Sequence, residues 1–370
     1  MIRQCLISIP TFFSSQETVL RLCSVIQQNL SSVSTQQLHA ALQLFNQFIS
    51  FSVTVEYGLF QINQQFLLQI IEKLKSEINE LIISDFFDVL NTAISNYGLL
   101  FLNENITVFK LIELIFQKIS FENDISNHAL QLLNTIVQNF KERDQETIEA
   151  FQTVFIGPLL ENLDQNPSFS LSLFSQIVVS TNQFMTPEAL KTVTVKSLEN
   201  ITNFNQDIII CSVIFINSLV YHYKNVLAPI SFQLIQSISS KIPLLNAEND
   251  DELVIREYLV TLLMILDLNY SSEPNEQFME WILSYLPVRL SQYYNNKHVY
   301  LYLLKRYDKF DSLQPAILSL FVNLFVNLET IKQACLPREL YLGILQILLK
   351  IGILENPQLI SQLFNGDDEK

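Results

Sequence analysis

Glu248, Asp250, Asp251 and Glu252 place four carboxylates within five residues, and Phe278, Trp281 and Tyr285 follow at helical intervals of three and four. The acids can draw in a basic peptide through their summed potential, or they can form an ordinary acidic turn. The rings can anchor a partner by burying large surfaces, or they can pack between neighbouring helices. Both groups are candidate partner-binding residues, each beside its plainer alternative. Asp85 and Asp88 fall on one helical face, but acid and base work needs a pocket and shifted pKa values, so a solvated helix face is the better reading.

Other chemistry finds little support. The six glycines, at 58, 98, 157, 343, 352 and 366, form neither a GxxxxGK[ST] nor a GxGxxG phosphate cradle. His39, His128, His222 and His298 are isolated from one another, and Cys5, Cys23, Cys211 and Cys335 share no metal-ligand spacing. No catalytic residue, metal or cofactor is expected, and the chain reads as a non-enzyme. Lys297, Lys305, Arg306 and Lys309 interleave with Tyr300, Tyr302 and Tyr307 as a nucleic-acid stripe would. Asp308, Asp311 and a net charge of −15 argue against one. A local partner contact is the more modest reading of that region.

The elements that must position these residues read as helices. At 370 residues, 49% hydrophobic with 27 Phe, the chain is too apolar to be disordered; it also exceeds the roughly 250–300 residues at which one core stops growing. Six Gly and eleven Pro are few for a turn-rich β fold. Apolar residues recur at helical spacing, as in Leu38, Leu42, Phe45 and Ile49, or Phe86, Leu90, Ala93 and Ile94. Ser14 to Glu17 fits a capping box, Gly98 a C-cap, and Thr186-Pro187 and Asn356-Pro357 an N-cap followed by proline at the first helical position. About seventeen helices result, among them 145–163, 227–242, 276–293, 299–307 and 357–364.

Two helices with their breaks take about 40 residues, the length of a HEAT or armadillo unit. The expected fold is all-α: an α-α superhelix, a HEAT/armadillo-like solenoid of antiparallel helix pairs. One solenoid of about eight pairs would cover 1–365, with an acidic tail at 366–370. An irregular helical domain or two bundles is the alternative.

Polar Gln4 and Ser8 interrupt the apolar start, so no signal peptide is expected. The apolar run Ile208 to Val220 is shorter than a membrane span and reads as a buried helix. Four unpaired thiols suit a reducing compartment, cytoplasm or nucleus. Residues 1–70 are neutral, whereas residues 71–165 carry fifteen acids against six bases.

Ser240-Lys241-Ile242-Pro243-Leu244-Leu245, Arg256-Glu257-Tyr258 and Trp281-Ile282-Leu283-Ser284-Tyr285-Leu286-Pro287-Val288 resemble stretches of karyopherin-β nuclear transport receptors, the importin and exportin group. The last resembles the W-x-x-x-L-P-hydrophobic stretch of some importins. Beyond it the likeness fails, because Arg289, Lys297, Lys305 and Arg306 stand where those importins tend to carry acids. Members of that family are generally more than twice this length, and their Ran-binding repeat has no match in Met1 to Ser50. The resemblance implies HEAT pairs, basic protein cargo segments, Phe-Gly nucleoporins and Ran GTPase as partners, and a life between cytoplasm and nucleus. A non-transport HEAT-repeat scaffold subunit of a multiprotein complex is the alternative.

Overall fold

The computed structural model describes residues 16–30, 34–52, 58–102, 106–119, 125–140, 144–180, 184–201, 205–246, 248–271, 273–288, 293–325 and 336–352. The expected features at Ser14–Ser15, Cys5, Arg289, Cys335, the 357–364 helix and the acidic tail lie outside these residues. Among the described residues every regular element is helical.

Contacts divide the chain into two compact units, residues 1–195 and 196–370. The first contains α1 (Gln16–Leu30), α2 (Thr35–Ser52), α3 (Gly58–Ser76), α4 (Glu80–Tyr97), α5 (Val108–Lys118), α6 (Ile125–Asn139), α7 (Gln145–Phe151), α8 (Gly157–Glu161) and α9 (Pro167–Ser180). After α10 (Pro187–Asn200), the second contains α11 (Gln206–His222), α12 (Lys224–Leu227), α13 (Ser231–Lys241), α14 (Asp250–Tyr270), α15 (Glu276–Leu283), α16 (Tyr293–Arg306), α17 (Gln314–Leu324) and α18 (Arg338–Lys350).

Side-chain amides start many of these helices. Asn79, Asn205, Asn249 and Asn275 each take the extended N-cap conformation and accept a hydrogen bond from the first turn. Asn166 Oδ1 likewise accepts from Phe169 N at 3.2 Å. Thr186 Oγ1 accepts from Ala189 N, with Pro187 at the first helical position as expected. Gly98, at φ +64°, ends α4 and donates its N–H to Ile94 O at 2.8 Å. The amide-rich composition therefore carries out part of the helix punctuation that glycine and proline are too few to supply.

Proline accounts for three departures from the expected helices. The 145–163 helix opens into a π segment over Gln152–Ile156, just before Pro158; that residue cannot donate to the carbonyl four residues back, and its ring crowds it. Pro229 breaks 227–242 into α12, a 3-10 turn and α13. The 276–293 helix stops at Leu283, ahead of Pro287, and α16 starts earlier than expected, at Tyr293.

In each unit the second helix of one pair packs on the second helix of the next. In residues 1–195 that series is α2, α4, α6 and α9; in residues 196–370 it is α11, α14, α16 and α18. Phenylalanine fills the first unit: Phe140, Phe151, Phe155 and Phe184 meet with ring centroids 4.6–5.5 Å apart. In the second unit α14 is buried along most of its length, including Asp267. Arg306 Nη2 donates to Asp267 Oδ2 at 2.8 Å and Tyr302 Oη donates to the same oxygen at 2.9 Å. The tyrosines of the supposed basic stripe, Tyr300, Tyr302 and Tyr307, are thus core residues, and Arg306 points inward. Among the described residues no single helix is long and apolar enough to cross a membrane.

Arg306 is 7% exposed and Asp267 4%, so Arg306→Ala strands a buried carboxylate and should lower the unfolding free energy by about 3–5 kcal/mol. Urea denaturation followed by far-ultraviolet circular dichroism measures this. A loss below ~1 kcal/mol would mean that the pair is not the buried constraint described.

Candidate functional site

Helices α2, α4 and α6 carry three carboxylates among them, Glu80, Asp85 and Asp88, with neither lysine nor arginine. The groups in this layer that can become cationic are His39 on α2 and His128 on α6. Asp85 and Asp88 stand three residues apart on α4, the middle helix, so they share a face yet diverge toward opposite neighbours. Asp85 Oδ2 lies 2.5 Å from His39 Nδ1, and Asp88 Oδ1 lies 2.6 Å from His128 Nδ1. Further along the α4–α6 contact, Thr135 Oγ1 donates to Asn91 Oδ1 at 2.6 Å.

This arrangement corrects the solvated-face reading. Asp85 is only 9% exposed, because a helix face directed along the stack is covered by the next helix. Asp88 is half-buried. Two of the histidines that stand alone in the sequence prove to be carboxylate partners. Burial pushes the Asp85 carboxyl above its usual range; the hydrogen bond and charge of His39 oppose that, and Asp88 adds to it.

A cavity of about 130 Å³ opens beside the pair, lined by Leu42, Gln43, Asn46, Gln47, Asp85 and Asp88. Asn46 Oδ1 and Gln47 Oε1 are shielded from solvent and accept no hydrogen bond within the protein. The lining thus combines two carboxylates with three side-chain amides and no basic group, a polarity that suits a cationic donor. Among the described residues no group of three or more His, Cys, Asp or Glu side chains is placed to hold a metal ion.

The residues singled out from the sequence lie in the second unit. Glu248, Asp250 and Asp251 are exposed and Glu252 is half-buried, around the N-terminus of α14. Asn249 Oδ1 accepts from Asp251 N and Glu252 N, and Glu252 Oε2 accepts from Asn246 N at 2.7 Å. The acids thus sit where the helix dipole favours negative charge. Phe278 and Trp281 stack at 6.0 Å on α15, and Tyr285 meets Trp281 edge-on at 5.0 Å; all three are half-buried. Arg256, one turn beyond Glu252 on α14, places its guanidinium 5.7 Å from the Tyr285 ring. That cation–π contact ties the aromatic strip to the helix that carries the acidic turn. His298, on α16, is buried, and burial, followed by Lys297, pushes it down to about 4, so it is neutral at physiological pH.

No family model matches the sequence, and no curated protein sequence does. Solved structures do. The chain is similar to Kap121p bound to Pho4p, at TM-score 0.67 and 13% identity over 93% of this chain and 34% of that one. It is also similar to Kap121p bound to RanGTP, at TM-score 0.61 and 13% identity over 89% of this chain and 32% of that one. A third likeness is to a Kap121p mutant with three acidic-to-lysine substitutions, at TM-score 0.59 and 13% identity over 95% of this chain and 34% of that one. This chain spans about a third of the length of those structures. The fold is that of HEAT/armadillo solenoids, and the karyopherin-β resemblance holds as a likeness of fold.

A carboxyl raised by burial contributes stability below its ordinary value of 3.8 and loses that contribution as pH rises through the raised value. Asp85→Asn keeps a hydrogen-bonding group at the position and removes the charge. Its melting temperature relative to the parent should therefore increase from about pH 4 to about pH 7. Thermal melts across that range test this, and a relative stability that falls toward neutral pH contradicts it.

Proposed function

We propose that this chain is a protein-binding helical-repeat receptor that takes basic segments of its partners, with nucleocytoplasmic transport of protein cargo as its role. The observation that carries the reading is the α2–α4–α6 layer, in which Asp85 and Asp88 line a cavity with the amide side chains of Gln43, Asn46 and Gln47, and none of the three helices carries a lysine or arginine. Such a lining attracts a cation at long range and hydrogen-bonds it at short range. The acidic turn Glu248, Asp250, Asp251 and Glu252, with the Phe278, Trp281 and Tyr285 strip, is a second contact region: exposed charge for steering, half-buried rings as anchors. The transport role rests on likeness of fold to Kap121p, whose structures include complexes with Pho4p and with RanGTP. On that reading the chain works between cytoplasm and nucleus with Ran GTPase and Phe-Gly nucleoporins as partners.

Binding of a fluorescein-labelled lysine- and arginine-rich peptide to the full chain, followed by fluorescence anisotropy, tests the first part. Asp85→Asn with Asp88→Asn should weaken it about tenfold or more, and added salt should weaken it further. An unchanged affinity removes the cavity from the binding surface. Release of the peptide by GTP-locked Ran supports an import role and tighter capture an export role. Indifference to Ran together with recovery of one fixed assembly favours a non-transport scaffold.

A further inference from the structure

The α2–α4–α6 layer holds Asp85 and Asp88 in direct contact with His39 and His128. His39 Nδ1 faces Asp85, and its other ring nitrogen, Nε2, lies 3.0 Å from Gln43 Nε2. An amide is a partner for both imidazole states, since its NH2 donates to a neutral ring nitrogen and, turned over, its carbonyl accepts from a protonated one. His128 faces Asp88 with its side chain 34% exposed, and His39 is 30% exposed, so protons reach both.

Among the described residues no other cation bears on Asp85. The charged groups bearing on Asp85 are His39, Asp88 and His128. On α1, Arg21 pairs with Glu17. On α3, Lys75 pairs with Glu72, beside Lys73. On α5, Lys118 donates to the Lys75 and Glu77 carbonyls, beside Lys110 and Glu113. Tyr97, at the end of α4, receives a hydrogen bond from Asn63, and α9, which packs on α6, has no titratable residue.

We infer that His39 and His128 gate this site by protonation. Neutral, they leave the Asp85 and Asp88 carboxylates as net negative charges beside the cavity; as imidazolium ions, they cancel both and disfavour a bound cation. The inference rests on the cation-accepting reading of the cavity given above and assigns its regulation. Protonating both rings takes the formal charge of Glu80, Asp85, Asp88, His39 and His128 from −3 to −1.

The test uses the full chain, a fluorescein-labelled oligolysine peptide and constant ionic strength. Parent protein should bind about tenfold more weakly at about pH 5.5 than at about pH 7.5. His39→Gln with His128→Gln keeps a donor toward each carboxylate but cannot titrate, so it should bind at both pH values within about twofold of the parent at the higher one. Circular dichroism melts establish that the double variant is folded; if it is not, His128→Gln alone should remove part of the pH dependence. A parent affinity that does not change with pH overturns the gate while leaving the cation site standing. So does a double variant that loses affinity as steeply as the parent. Absence of binding by the parent at either pH overturns the cation site and the gate together.

Discussion

Each helix pair is too thin to enclose its own apolar stripe, and the packing of one pair's second helix on the next is what closes the core. The repeat length follows from this constraint: second helices begin at residues 35, 80, 125 and 167 in the first unit and at 206, 250, 293 and 338 in the second. Each contact fixes a register, because the same face must be offered to the following helix. Phenylalanine suits this role, since one ring spans the gap between neighbouring pairs, as Phe140 does in meeting Phe109, Phe151 and Phe184.

The same constraint makes polar residues on the stacking face consequential. A carboxylate there is removed from water and has to be paired from a neighbouring helix. The two units solve this differently. Asp267 is answered by Arg306, a permanent cation, and by the Tyr302 hydroxyl, whereas Asp85 and Asp88 are answered by histidines. One pairing is to a guanidinium, the other to imidazole rings that can gain a proton.

Helix type, cadence and several boundaries were legible in the sequence because they are local. The Thr186-Pro187 start, the Gly98 stop and the stripe Phe86, Leu90, Ala93 and Ile94 depend on neighbours within a turn or two. The helices expected over 145–163, 227–242 and 276–293 ran through Pro158, Pro229 and Pro287, so the interruption at each was not read from the sequence. The centre at Asp85 and Asp88 was half visible: their shared face was apparent, their burial was not. His39 lies 46 residues from Asp85 and His128 lies 40 from Asp88. The signal that could have found them is that separation itself, close to one repeat, which brings residues on successive second helices level.

The two acidic regions differ in the physics that governs them. At the N-terminus of α14, the exposed acids interact with the helix dipole and with solvent, and salt at physiological strength screens them beyond about 8 Å. Beside the cavity, Asp85 is buried, the titratable groups bearing on it are His39, Asp88 and His128, and amide side chains share the lining. A charge in such a setting is screened much less, so adding or removing one neighbouring proton changes the local potential more than the loss of an exposed acid does at the turn. Steering and anchoring suit the acidic turn and its aromatic strip. Selection of a single cationic group, and control of that selection by protons, suit the α2–α4–α6 layer.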